Sequence, residues 1–164
     1  MEQSYTESKL QKAREYFERG YHLQMSGRLR EAIQLYRHSI ATCETAEAYT
    51  FLGWAYSQQE NYEGAIEQCK HAIQIDPDYG NPYNDLGAYM IQLGKYDEAV
   101  TWLELALNAK RYDSPHFPHF NLGRIYERKG MWEEAMGEYE NALELDPNYK
   151  LAQDAIIRLQ AMMN

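Results

Sequence analysis

Any side-chain chemistry would have to start from five histidines and two cysteines in 164 residues. Only His116-x-x-His119 has a spacing at which two imidazoles could share a metal, with Asp113 close enough in the chain to serve as a third ligand. Both histidines follow prolines, Pro115 and Pro118, so a loop-to-helix junction with partly exposed imidazoles explains them better than a metal site, for which the spacing alone is weak. A metal-dependent enzyme is therefore the remotest reading. Cys43 and Cys69 each sit in an apolar helical pattern with no C-x-x-C partner, and Cys69 reads as a buried, inert thiol rather than a nucleophile. No glycine-rich phosphate loop or nucleophile elbow is present. The expectation is a protein that is not an enzyme and has no catalytic residue, metal or cofactor.

The elements that position everything else come from a repeat. Leu52-Gly53-x-x-Tyr56 returns as Leu86-Gly87-x-x-Met90 and as Leu122-Gly123-x-x-Tyr126, with glycines 34 and 36 residues apart. Twelve residues after each glycine stands Ala65, Ala99 or Ala135, and seven later Ala72, Ala106 or Ala142. A weaker copy upstream holds Gly20, Leu23, Ala32 and Ser39 at the same offsets, with Arg19 in place of the leucine. A glycine inside a helix costs about 1 kcal/mol relative to alanine, so glycines kept at one phase require a compensating gain. Close helix packing at the crossing is that gain. Gly27, Gly94 and Gly130 mark turns, and Leu29, Tyr96 and Trp132 anchor the helices that follow. In the second copy Glu60-Asn61 replaces the turn glycine, and the left-handed conformation is expected at Asn61. Asp76-Pro77 and Asp146-Pro147 end second helices.

Over residues 13–149 this pattern resembles the tetratricopeptide repeat, W-x-x-L-G-x-x-Y followed by A-x-x-x-F and a proline at a period of 34. The resemblance implies an all-α fold, a right-handed α-solenoid of four helix-turn-helix pairs. The pairs are expected at 13–45, 46–79, 80–115 and 116–149, after an N-terminal extension 1–12 in which a Ser4-x-x-Glu7 capping box offers an early start to the first helix. Residues 150–164 remain for a capping helix that covers the last pair with Leu151, Ala155, Ile156 and Leu159. The third unit departs most, because Asn108 to Pro115 lengthens it by two residues and puts Arg111 where the proline would fall.

Sixteen basic against 25 acidic residues give a net charge of −9, which repels nucleic acid and anionic lipid. Residues 1–45 are net +1, with seven basic and six acidic groups, and residues 46–164 are net −10, with nine and nineteen. Solvated helix faces explain most of that charge. No stretch approaches the roughly 18 apolar residues of a membrane span, so no membrane insertion is expected. The unpaired cysteines suit a reducing cytoplasm. Seven of the fifteen tyrosines recur at fixed phases as interhelix core: Tyr16, Tyr49 and Tyr83; Tyr56 and Tyr126; Tyr36 and Tyr139.

The resemblance implies a partner peptide bound in the concave surface formed by the first helix of each pair. Offset from the Leu-Gly-Tyr face, the inward row runs Phe17 and Tyr21, Thr50 and Trp54, Asn84 and Ala88, Phe120 and Arg124, then Asp154 and Arg158. Phe17, Tyr21 and Trp54 could equally pack between repeats. Arg124 could balance Asp154, and Asp154 could pair with Arg158 at i, i+4. Trp102 falls outside the shared core phases and is a candidate outer contact. Some members of the family grip the terminal carboxylates of chaperone tails with lysine, asparagine and arginine. At the matching places this chain has Phe17, Tyr21, Phe51, Asn81 and Asp85, or Thr50, Trp54, Asp85, Phe117 and Asn121 one repeat on, so that grip is not expected. The leading expectation is an adaptor that binds another protein or peptide; the alternative is a homo-oligomeric assembly scaffold.

Overall fold

The computed structural model describes residues 2–164, with side chains from Ser4 onward. Its described residues form nine helices: α1 (Glu2–Met25), α2 (Leu29–Thr42), α3 (Ala46–Gln58), α4 (Tyr62–Ile75), α5 (Asn81–Gln92), α6 (Tyr96–Leu107), α7 (His116–Arg128), α8 (Trp132–Leu145) and α9 (Lys150–Met163). Each packs on the next, and α1, α3, α5 and α7 also touch one another in sequence. Alternate helices therefore form one continuous inner layer.

The repeated glycines sit where two helices of a pair cross. A Cβ built on Gly53 would lie 3.0 Å from the Ala65 carbonyl oxygen, and one on Gly123 would come within 2.5 Å of the Tyr139 ring. Alanines 65, 99 and 135 are fully buried on the opposing helices. Small residues face each other so that the backbones can approach, which offsets the helix-propensity cost of the glycines. The apolar core falls into three clusters. One joins α2 to α3 through Ile33, Tyr36 and Leu52, the largest runs through Cys69, Leu86, Leu103 and Ile125, and the last joins Tyr139 to Ala155 and Leu159.

Three details differ from the expectations. Ser4 and Glu7 lie inside α1, which already runs from Glu2, so they do not cap its start. At the second turn the left-handed residue is Glu60, with φ +60°, whereas Asn61 has φ −86° and caps α4 by accepting a 3.0 Å hydrogen bond from the Gly64 N–H. Asn61 is needed for the cap, so the strained conformation passes to its exposed neighbour. Gly27, Gly94 and Gly130 take the same positive φ without a Cβ penalty. Glu60→Gly should therefore stabilise the protein by about 1 kcal/mol and raise Tm by a few degrees in thermal melts. In α9, Leu151 is 56% exposed, and the buried residues are Ala152, Ala155 and Leu159.

The lengthened segment 108–115 folds back onto the preceding loop. The Gly80 N–H donates to the Arg111 carbonyl at 2.9 Å, the Arg111 N–H donates to the Asp78 carbonyl at 3.0 Å, and the Arg111 guanidinium pairs with Asp76. Arg111 thus stands in for the missing proline by tying two successive interpair loops together. Tyr112 rests directly against Gly80, where a Cβ would not fit.

Candidate protein-binding groove

The inner layer of first helices carries the predicted row, and its character changes from end to end. At the α1–α3 end the Phe51 ring meets Phe17 at 5.0 Å, Trp54 at 5.7 Å and Tyr21 at 5.8 Å, all edge to face. Tyr21 is exposed, and Phe17, Phe51 and Trp54 are half-buried. Of these rings Phe17 alone borders a cavity of about 290 Å³ that opens between it and Leu10, Ala13, Ser39, Thr45 and Glu47. Phe51 is central to this cluster although it lies outside the predicted row.

The middle of the groove is polar and already bonded within itself. Asn121 donates to Asn84 Oδ1 at 3.0 Å, and Arg124 donates to Asn121 Oδ1 at 3.1 Å. Asn84 reaches Asp85 at a long 3.5 Å. Burial pushes the Asp85 carboxyl up to about 7, against the opposing pull of the Asn84 N–H. Cys69, Tyr79, Tyr89 and Tyr112 surround that carboxylate; burial, and to a smaller extent its charge, raises the pKa of each. Ala88 is half-buried between these residues and the aromatic end.

At the far end Phe120 packs on Tyr139 at 5.5 Å and on Tyr149 at 5.2 Å. Glu127 accepts from the Tyr139 hydroxyl at 2.7 Å and from Arg158 at 2.8 Å. Burial opposes its ionisation, but the Arg158 and Tyr139 hydrogen bonds outweigh that and hold the Glu127 carboxyl below its ordinary value. Neither of the charge pairings that the spacing offered as an alternative forms among the described residues. Arg158 turns to Glu127 on α7, Asp154 pairs with Lys150 at 2.7 Å, and Arg124 binds Asn121.

Two other predicted residues are engaged internally. Thr50 is buried and its hydroxyl donates to the Ala46 carbonyl of its own helix at 2.7 Å. Trp102 is half-buried on the central core, with its ring 6.1 Å from that of Tyr83. His116 and His119 diverge: His119 Nδ1 meets Glu138 at 2.7 Å, and His116 faces Asp146 at 3.9 Å. Among the described residues no group of three histidines, cysteines or acids is placed to hold a metal ion, and no helix is long and apolar enough to cross a membrane. Phe51 and Asn121 were missing from the predicted row. Each follows a row residue directly, as Asp85 does, and a helical step of about 100° leaves such a neighbour on the edge of the same face.

Comparison with known proteins agrees with this architecture. Models of the tetratricopeptide repeat match residues 46–79, 69–101 and 116–149, which together take in more than half of the chain. The human protein O-mannosyl-transferase TMTC1 is 32% identical over 85% of the chain, which covers 16% of that protein. The chain spans only 12 to 22% of the length of the curated relatives compared. Among solved structures, PilF of Pseudomonas aeruginosa superposes with a TM-score of 0.86 at 20% identity, covering 94% of this chain and 70% of that one. The first repeat unit of Spaghetti, solved with the HSP90 peptide SRMEEVD, superposes with a TM-score of 0.66 at 24% identity, covering 74% of this chain and 95% of that one. With its glycine-spaced helix pairs and these matches, the chain belongs to the tetratricopeptide repeat family.

Proposed function

We propose that the chain is a protein-interaction module, an adaptor or scaffold without catalytic activity of its own, that seats a segment of a partner polypeptide along its inner layer of helices. The observation that carries this reading is the aromatic cluster of Phe17, Tyr21, Phe51 and Trp54, which stays partly open to solvent, with Phe17 also lining a cavity. Aromatic side chains held rigid by one another lose little entropy on binding and dominate interface hot spots. The polar middle suits the backbone of an extended segment. Unpaired Cys43 and buried Cys69 suit the reducing cytoplasm.

Peptides selected from a random display library on the intact chain should lose about thirtyfold in affinity, roughly 2 kcal/mol, with Trp54→Ala or Tyr21→Ala, while Tm moves by only a few degrees. A Trp54→Ala chain that unfolds, with Tyr21→Ala binding as before, would make the cluster core and defeat the groove. Asn84→Ala is a poorer test, because it would leave the buried Asn121 amide without its acceptor. The peptide SRMEEVD should show no measurable binding in calorimetry, since the places for cationic grips hold Phe17, Tyr21, Phe51, Asn81 and Asp85. Micromolar affinity would overturn that expectation.

Self-association is the second reading, favoured by one feature. Leu151, Ile157, Met162 and Met163 on α9 are each more than half exposed. Light scattering on the intact chain separates a monomeric adaptor from a homotypic scaffold.

A further inference from the structure

A second cavity, of about 320 Å³, lies where the last turn of α7, the first turn of α8 and the second half of α9 converge, and it is lined by Arg124, Glu127, Arg128, Trp132, Arg158 and Met162. Its composition follows from helix spacing. Arg124 and Arg128 are four residues apart on α7, and Arg158 and Met162 four apart on α9, so each pair projects from one face of its helix. Three arginines in one cavity are conspicuous in a chain of net charge −9.

The donors are only partly used. Arg158 spends Nε and one terminal nitrogen on Glu127, and Arg124 spends one on Asn121. Arg128 makes no hydrogen bond among the described residues. Glu127 is held ionised by Tyr139 and Arg158, so the cavity carries three positive charges against one negative. A dianion would neutralise the remaining two charges, whereas a single carboxylate would leave one. Guanidinium forks match the oxygens of a phosphoryl group in twos, and Trp132 and Met162 offer an apolar wall for whatever carries it. Trp132 is 39% exposed, so that wall can be reached.

We propose that this cavity binds a phosphoryl dianion carried by a side chain of a partner polypeptide. The chain's overall negative charge disfavours nucleic acid and anionic bilayers, which present many phosphates at once. A single phosphorylated residue flanked by basic residues meets the opposite field, because the exposed Glu133 and Glu134 follow Trp132 directly. The polypeptide nature of the partner rests on the groove reading above, while the anion site rests on the arginines alone.

The test follows the intact chain by NMR, using the side-chain N–H signals of Trp132, Arg124 and Arg128. Phenyl phosphate above about pH 7, where it is doubly charged, should shift these signals at millimolar concentration, and benzoate should bind at least about tenfold more weakly. Arg128→Gln, which breaks no hydrogen bond of the fold, should weaken phenyl phosphate at least about tenfold with Tm unchanged. No shift, an equal response to benzoate, or full binding by Arg128→Gln would overturn the site. A short arginine- and alanine-containing peptide with one phosphoserine should bind more tightly than inorganic phosphate and lose that affinity when dephosphorylated. Equal binding of inorganic phosphate would overturn the polypeptide source and leave a site for free anions. Unchanged affinity in Trp54→Ala would keep the two sites separate, so either can fail without the other.

Discussion

Replacing Asp85 with asparagine is expected to stabilise the protein by about 2 kcal/mol at about pH 8, with the gain shrinking as the pH falls towards 4. The folded carboxyl is raised to about 7, well above the ordinary carboxylate range, by burial, and among the described residues only the Asn84 amide reaches it, at 3.5 Å. When a folded pKa lies above the unfolded one, the contribution to stability is intact below the unfolded value and is lost as pH rises through the folded value. The loss here therefore accumulates between about pH 4 and pH 7 and is complete above that. Three pKa units correspond to roughly 4 kcal/mol, and the partial exposure of Asp85 reduces this to about half. Asparagine has the same shape and no charge to bury, so the exchange removes the penalty without opening a cavity. The groups facing the carboxylate are Cys69 from α4, Tyr79 and Tyr112 from the two interpair loops, and Tyr89 from its own helix, none of them cationic. Urea melts of both proteins between about pH 5 and pH 8 measure the effect. A difference that stays flat, or an Asp85→Asn protein weaker at the alkaline end, would mean that the carboxylate is ionised and paired in the fold.

Much of this architecture is legible in the sequence because its causes are local and repeated. Gly53, Gly87 and Gly123 announce helix crossings since no larger residue fits there, and the Asp-Pro stops announce helix ends since proline cannot continue the ladder. Legibility fails where one residue is wanted by two structures. Asn61 suits both a left-handed turn and an N-cap, and only the geometry of the whole turn decides that it caps and Glu60 bears the positive φ. It also fails where partners are far apart in the chain. Spacing rules offered Arg158 to Asp154 four residues away, but the structure gives it to Glu127, 31 residues away on the neighbouring inner helix. The residues proposed for the inner row show the same limit. What could not be read was which of its side chains are already engaged: Thr50 on its own backbone, Asn84 on Asn121, and Arg124 only in part.

Removing residues 150–164 is expected to lower the stability by about 3–5 kcal/mol and Tm by about 10 °C, and to promote association. The helix α9 buries Ala152, Ala155 and Leu159 against α8, and Leu159 is fully enclosed in the cluster with Ala135 and Tyr139. Without it the aromatic face of Tyr139 meets water, and an exposed apolar strip on a terminal repeat invites a second copy. Glu127 loses Arg158 at the same time and keeps the Tyr139 hydroxyl and the weaker pull of the Arg128 charge to offset its burial. Point variants locate the effect within the helix. Leu159→Ala should cost about 2–5 kcal/mol, as for other enclosed leucines, whereas Leu151→Ala should change stability by less than about 0.5 kcal/mol because that side chain lies mostly in solvent. Light scattering and thermal melts on the shortened chain decide the matter. A monomer of equal stability would mean that α8 closes the solenoid by itself, and that α9 serves the groove and its arginine cavity rather than the core.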